Sequence, residues 1–260
     1  MTIISIDLPW KEDKKGRRTL AIADLRGNIK TISASDDNEL LELLRDNAEP
    51  GSIILLDIPI DGCDNLEGKH FRPTDKSLAS QGISILPTSK AKDRGKVLKE
   101  RIQDTNRGKK VIVQEVYPYA TYKFLAYLKD KKLLQHLALD KFHTLLDDGF
   151  RTFWPLKYKR ERDRTQRVKN MKYLYSLVTN PSLGLKFLPP LGYPDTSYTL
   201  HKLNELCDEY DACLGAIVGI CYANNSSHAC IAGDSSSGNI LILADLWLAE
   251  QIRLKSQFID

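Results

Sequence analysis

Short hydrophobic runs that end in an acidic residue recur along the chain, and a proline follows each acid closely. The acids and their prolines are Asp7 with Pro9, Asp57 with Pro59, and Glu115 with Pro118. Runs rich in Ile, Leu and Val are typical of strands buried in the middle of a sheet. Because proline cannot continue a central strand, each acid should lie near the end of its strand. The pattern predicts three carboxylates along one edge of one sheet.

The same pattern places further elements between and after these runs. Residues 19–24 and 29–33 predict two strands joined by a tight hairpin, and residues 36–47 predict a helix capped by Ser35 or Asp36. The later predicted elements are an amphipathic helix over 119–132, a long helix over 199–223, a strand over 239–243 and a last helix over 245–254. No linker is long enough to separate two domains. We therefore expect one domain over residues 1–260, with insertions near 61–109 and 119–198.

Composition and charge are those of an ordinary globular chain. Of the 260 residues, 42% are hydrophobic and 28% are charged, and the formal net charge is +4. This mildly basic balance permits a nucleic-acid partner without requiring one. No hydrophobic run approaches the roughly 20 residues that cross a bilayer, and the first residues lack the pattern of a signal peptide. We expect a cytoplasmic protein with no membrane partner.

Carboxylates gathered at one sheet edge need a positive partner. Two of them repel by roughly 4 kcal/mol at a 4 Å separation in an effective dielectric of 20. A divalent cation with oxygen ligands is the simplest candidate, and such ligands suit Mg²⁺ or Mn²⁺. The five cysteines and five histidines show no zinc-ligand spacing. Taken alone, each acid is more often a turn or helix-cap residue, and that interpretation stays open.

The long helix predicted over residues 199–223 carries two more acids. Asp208 and Asp211 stand one turn apart, and Asp211 shares its helix face with Leu214 and Val218. A carboxylate that faces the core needs a partner, and like charges at this spacing are unfavourable. Either acid is a candidate to join the other carboxylates.

Basic residues are concentrated over residues 151–172, which contain nine Lys or Arg against two acids. Such a run is either a solvated face or a phosphate-binding surface. Trp154 and Tyr158 lie in the same stretch and could stack on an unpaired base, although core positions are the commoner role for such rings. Arg72 and Asp75 allow two interpretations in the same way: Arg72 holds a phosphate, or the two residues form an ion pair.

Three consecutive strands, a helix and a fourth strand, with acids at the ends of the first and fourth strands, resemble the ribonuclease H-like fold. The chain is similar to a family of predicted nucleases of that fold, domain of unknown function number 429. The matching stretches are Ser5-Ile6-Asp7-Leu8-Pro9-Trp10, Leu56-Asp57-Ile58-Pro59-Ile60, Arg72-x-x-Asp75, Gly82-Ile83-Ser84-Ile85-Leu86-Pro87, Glu115-Val116-Tyr117-Pro118, residues 158–174, and Tyr210-Asp211-Ala212. These stretches follow the family's order over most of the chain.

The resemblance implies an α/β fold with a mixed sheet, in which strands 1–3 are antiparallel and later strands run parallel to strand 1. Helices cover both faces, and helical insertions interrupt the fold. It further implies a nuclease that hydrolyses phosphodiester bonds of nucleic acid with two Mg²⁺ or Mn²⁺ ions. The implied catalytic acids are Asp7, Asp57, Glu115 and Asp211, with Asp208 as a second possible metal ligand on the helix. The implied substrate-binding residues are Arg72, Lys157, Lys159, Arg160, Arg164 and Arg167.

Two other function classes stay open at the level of sequence. A nucleotide-binding phosphotransferase of the actin and sugar-kinase type would need a glycine- and threonine-rich phosphate hairpin after strand 1. The turn there, over residues 10–18, contains only Gly16, which argues against that class. A non-catalytic nucleic-acid-binding module would keep the same acids and basic residues. Fold resemblance alone does not decide between these activities.

Overall fold

The computed structural model describes residues 1–10, 16–63, 66, 70–91, 93–134, 145–159, 161–234 and 236–256. Within these residues, eight strands form one mixed sheet. The strands are β1 Thr2–Asp7, β2 Arg18–Asp24, β3 Asn28–Ala34, β4 Ile53–Leu56, β5 Ile112–Val116, β6 Lys186–Phe187, β7 Ala229–Asp234 and β8 Gly238–Leu243. The α-helices are α1 Asp37–Asn47, α2 Pro73–Ser80, α3 Arg94–Thr105, α4 Pro118–Asp130, α5 Gly149–Thr152, α6 Arg164–Val178, α7 Leu200–Ala223 and α8 Leu246–Ser256.

The sheet order is β6-β3-β2-β1-β4-β5-β8-β7. Strands β1 to β3 form an antiparallel meander, and β4, β5 and β8 run parallel to β1, which confirms this part of the predicted topology. Strand β7 was missed, and it runs antiparallel to β8, so the expectation that later strands run parallel to β1 is wrong there. The reason is the tight turn between them, where Asp234 Oδ1 accepts the N–H groups of Ser236 and Ser237. Strands joined by so short a turn pair antiparallel.

Helices cover both faces of the sheet, as predicted. Side chains alternate along a strand, and in β1 this sends Ile3 into one hydrophobic cluster and Ile4 and Ile6 into the other. The first cluster is closed by α4, α6 and α7, and the second by α1 and α3. Helix α1 begins at its predicted cap, Asp36, whose side chain accepts two backbone N–H groups.

Helix α4 differs from its prediction because it is not amphipathic. All nine residues from 120 to 128 are buried. The helix contacts β8 of the sheet and both α6 and α7, so no side is left for solvent. A helix buried on all sides is hydrophobic all round. None of the helices in the described part of the chain has the length and hydrophobicity that crossing a bilayer requires.

Candidate active site

Acids lie side by side where the central parallel strands end. Strand β1 ends at Asp7, and β4 ends one residue before Asp57. Ile6 pairs in register with Leu56, and the Asp57 N–H donates to the Ile6 carbonyl at 3.1 Å. In the next strand, Glu115 pairs with Leu56. The predicted placement of three acids along one sheet edge is confirmed, whereas their catalytic role stays a prediction.

Helix α7 brings two more acids to this edge because its glycines let it lie directly on β1. A Cβ atom at Gly215 would lie 2.0 Å from Ser5 Oγ, and one at Gly219 would lie 2.5 Å from the Ile3 side chain. Four helical residues rise by about 6 Å, close to the advance of two strand residues. Every fourth residue of the helix therefore lies opposite every second residue of the strand along the contact. The facing residues are Gly219 with Ile3, Gly215 with Ser5, and Asp211 with Asp7.

A lysine ammonium lies among three of these carboxylates. Lys159 Nζ is 3.4 Å from Asp7 Oδ1 and 3.9 Å from Asp208 Oδ1, and it forms a closer ion pair with Asp211 Oδ2. The Lys159 side chain is 41% exposed, whereas those of Asp7 and Asp211 are 10% and 5% exposed. We call Asp7, Asp57, Asp208 and Asp211 the carboxylate cluster. Its cation comes from Lys159, whose side chain is more exposed than those of Asp7 and Asp211.

Burial and mutual repulsion disfavour the ionised cluster. Burial raises the pKa of Asp57 well above its usual range, and the charge of Asp7 raises it further, while Lys159 acts in the opposite direction. Burial, followed by the charge of Asp7, raises the pKa of Asp208 to about 8. Burial also raises the pKa of Asp211 against the lowering effect of Lys159. The cluster therefore favours a bound proton or a bound cation.

Tyr158 orients Asp211 within the cluster. Its hydroxyl donates to Asp211 Oδ1 at 2.5 Å, and its side chain is buried. Burial and the charge of Asp211 raise the pKa of the phenol, so it stays a hydrogen-bond donor. Tyr158 is therefore not available to stack on a base. Trp154, four residues earlier, is 63% exposed, although the Lys123 ammonium lies over its ring at 5.4 Å from the centroid.

Glu115 has a different neighbour, the guanidinium of Arg72. Arg72 donates to both oxygens of Glu115, at 2.7 and 2.6 Å, to both oxygens of Asp75, and to the Asp61 carbonyl. These contacts engage all five of its N–H donors, and the side chain is 1% exposed. The structure therefore corrects the expectation that Arg72 holds a substrate phosphate. The alternative ion pair with Asp75 is confirmed.

The remaining basic candidates are not all on one surface. Lys157 and Arg164 are exposed, and Arg164 donates to the Tyr198 carbonyl. Arg167 is buried between α6 and α7, where it donates to Asn204 Oδ1 at 2.7 Å. The expectation that Arg167 lines an exposed surface is therefore corrected as well. Arg160 lies outside the described residues.

The residues fit a hard divalent cation at one position and not at another. As the side chains stand, no group of three or more His, Cys, Asp or Glu among the described residues is arranged to hold a metal ion. Cations of the chain itself engage these acids, because Lys159 contacts three of them and Arg72 occupies both oxygens of Glu115. At Lys159, three carboxylates already hold a positive charge, and their oxygens are the ligands that Mg²⁺ and Mn²⁺ prefer. The fit holds there and fails at Glu115.

Comparisons of the chain with protein-family models, with curated proteins and with solved structures gave no significant match. The likeness to the ribonuclease H-like fold and to the predicted nucleases therefore stays a prediction from sequence.

Sequence reasoning identified the acids of the cluster but missed which cations meet them. Lys159 was assigned to the substrate backbone, and Tyr158 to the core or to a base. A signal was present, since both residues open the stretch 158–174 that the sequence analysis compares with the predicted nucleases, and Arg72 and Asp75 form another such stretch. Neither stretch indicates which acid it contacts, because Asp211 and Glu115 lie far from it in the chain.

Proposed function

We propose that the chain is a metal-dependent nuclease that hydrolyses phosphodiester bonds of nucleic acid, with its centre at the carboxylate cluster. The observation that carries the proposal is the contact of Lys159 with Asp7, Asp208 and Asp211. It places a cation-binding set of carboxylates at the carboxyl ends of parallel strands, where open α/β sheets bind their ligands.

Hard carboxylate oxygens support Mg²⁺ or Mn²⁺ as the cofactor. When bound, such an ion would offset the charge of a phosphate and lower the pKa of an attacking water. Asp7, Asp208 and Asp211 would hold it, with Tyr158 keeping Asp211 in place through the hydrogen bond to Oδ1. The resemblance implies two ions. The engagement of Glu115 by Arg72 favours a single ion at the position of Lys159 instead.

Asp57 is suited to accept a proton in the proposed reaction. It is half-buried and, unlike the other three acids of the cluster, forms no ion pair with Lys159. Burial and the charge of Asp7 raise its pKa well above the usual range. A carboxylate with a raised pKa is the better base for a proton from water near neutral pH. Asp57 is therefore the proposed general base.

Exposed groups close to Lys159 in the chain support nucleic acid as the substrate. Lys157 and Arg164 are exposed cations in the chain segment around Lys159, and Trp154 offers an exposed ring. Cations that follow phosphates together with an aromatic ring are the usual combination in single-strand binding. The non-catalytic binding module is the second candidate, and the neutralisation of Glu115 by Arg72 favours it.

The test is cleavage of labelled single-stranded, duplex and hybrid substrates by the pure protein with Mg²⁺, Mn²⁺ or a chelator. We expect metal-dependent cleavage that Asp7→Asn abolishes. Asp46→Asn, at a side chain that is 65% exposed, is the matched control and should leave the rate unchanged. Binding without cleavage under every metal condition would overturn the nuclease and favour the binding module. Cleavage that survives Asp7→Asn would place the active site elsewhere.

A further inference from the structure

The two cations at the sheet edge differ in how firmly they are held. Arg72 is 1% exposed and has all five N–H donors engaged, so it can leave only if the core opens. Lys159 is 41% exposed and belongs to the segment between α5 and α6, whose described residues, 153–159 and 161–163, form no strand or helix. Because the side chain is partly exposed, a change of rotamer would carry its ammonium from the carboxylates into solvent.

The backbone around Lys159 does not depend on its ammonium. Tyr122 donates its hydroxyl hydrogen to the Leu156 carbonyl at 2.6 Å, and Asn170 Nδ2 donates to the Lys157 carbonyl at 2.6 Å. Tyr158 adds the hydrogen bond to Asp211. The segment should therefore keep its course when the Lys159 side chain leaves the carboxylates.

We propose that Lys159 is a built-in competitor for the divalent cation. In the metal-free protein its ammonium lies among Asp7, Asp208 and Asp211, and an ion binds there only after the ammonium has turned away. This inference rests on the proposed function, because it assumes that a small hard cation is the ligand of the cluster. It adds a regulatory step, because the apparent metal affinity depends on the fraction of time in which the Lys159 ammonium is away from the carboxylates.

The decisive measurement is Mn²⁺ binding to the full chain by titration calorimetry, which does not depend on activity. Lys159→Met keeps the length of the side chain and removes its charge. If Lys159 occupies the site nine-tenths of the time, its removal should lower the Kd for Mn²⁺ by about tenfold. Lys169→Met, at an exposed lysine of α6, is the matched control and should bind Mn²⁺ as the unaltered protein does. Asp7→Asn in the Lys159→Met background should weaken the binding again.

Thermal unfolding gives a second readout. Without metal, Lys159→Met should unfold at a lower temperature than the unaltered protein, because the carboxylates lose their counter-charge. Saturating Mn²⁺ should raise its unfolding temperature by more than it raises that of the unaltered protein. If Lys159→Met does not fold without metal, the milder Lys159→Gln is used for both measurements.

The outcomes separate this inference from the proposed function. Equal or weaker Mn²⁺ binding by a folded Lys159→Met would show that Lys159 is not a competitor, while the metal centre would stand. Absence of Mn²⁺ binding by both proteins would overturn the metal centre itself, and the inference with it. Tighter binding that Asp7→Asn reverses would support both.

Discussion

At the scale of single residues, the ionised carboxylates of the cluster destabilise the folded protein, and a cation offsets this cost. The destabilisation is clearest at Asp57, because burial and the charge of Asp7 both disfavour its ionised form. The residue before it, Leu56, ends a fully buried strand, so the acid cannot move away without disturbing the sheet. A buried charge of this kind is stable only with a positive partner or a proton.

We expect Asp57→Asn to raise the stability of the metal-free protein, because it removes one charge with little change of shape. A gain of about 1 kcal/mol corresponds to roughly 2–4 °C in Tm for a chain of this size. The same change should reduce the stabilisation by Mn²⁺, because the ion held by Asp7, Asp208 and Asp211 would lose the attraction of a neighbouring negative charge. Differential scanning calorimetry with chelator and with Mn²⁺ measures both effects. Equal destabilisation under the two conditions would make Asp57 a structural hydrogen-bond acceptor.

The raised pKa of Asp208 predicts a pH dependence of the metal-free protein. Burial and the charge of Asp7 raise this pKa from 3.8 to about 8, so between these values the folded state binds more protons than the unfolded state. The free energy of unfolding is therefore larger when Asp208 is protonated, and it decreases as pH rises through this range. We expect a higher Tm at pH 6 than at pH 9 in chelator, followed by circular dichroism. Asp208→Asn should reduce the difference, and an unchanged difference would contradict this assignment.

At the scale of elements, the site depends on how closely α7 lies on β1. Gly215 and Gly219 remove the side chains that would otherwise hold the helix off the strand. Asp211 lies one turn before Gly215 on the same face and reaches the edge of the sheet for that reason. The glycines of α7 are thus positioning residues for the carboxylate cluster.

Gly215→Ala should therefore damage both the fold and the site. Its new Cβ would lie 2.0 Å from Ser5 Oγ, and overpacking of this kind costs about 1–3 kcal/mol. We expect a lower Tm and weaker Mn²⁺ stabilisation, because Asp211 shifts away from Asp7. Gly108→Ala, where a Cβ would meet nothing within 4 Å, is the control. A lower Tm with undiminished Mn²⁺ stabilisation would mean that Asp211 is not positioned by this contact.

At the scale of the whole molecule, the net charge of +4 gives only a weak attraction for nucleic acid. Binding would then depend on those predicted substrate-binding cations that are exposed and are not held by the carboxylate cluster. Of the basic residues expected to contact substrate, Arg72 and Arg167 are buried, and Lys159 is engaged by the carboxylate cluster. Lys157 and Arg164 are left as exposed candidates among the described residues.

Changing Lys157 and Arg164 together to Ala should weaken nucleic-acid binding without sequence preference, since phosphate contacts carry no base information. Each lost contact should flatten the plot of log affinity against log salt by about 0.7 to 0.9. Fluorescence anisotropy at several salt concentrations measures the slope. Arg167→Ala would confound the comparison by destabilising the fold, so Arg107→Ala, outside this stretch and at a side chain that is 84% exposed, serves as the surface control. An unchanged slope would make the basic stretch a solvated surface.

The short hydrophobic runs and the prolines determined by themselves where Asp7, Asp57 and Glu115 lie, because strand-forming composition and proline geometry are local properties. The spacing of hydrophobic residues along the predicted long helix likewise placed Asp211 on the side that faces the core. Local pattern could not reveal β7, nor that α4 is buried on every side, since both depend on which elements pack together. Nor could it assign the cations: Lys159 meets an acid 152 residues away, and Arg72 meets one 43 residues away. Only the tertiary structure decided those pairs, because an ion pair depends on distance in space and leaves no period in the chain.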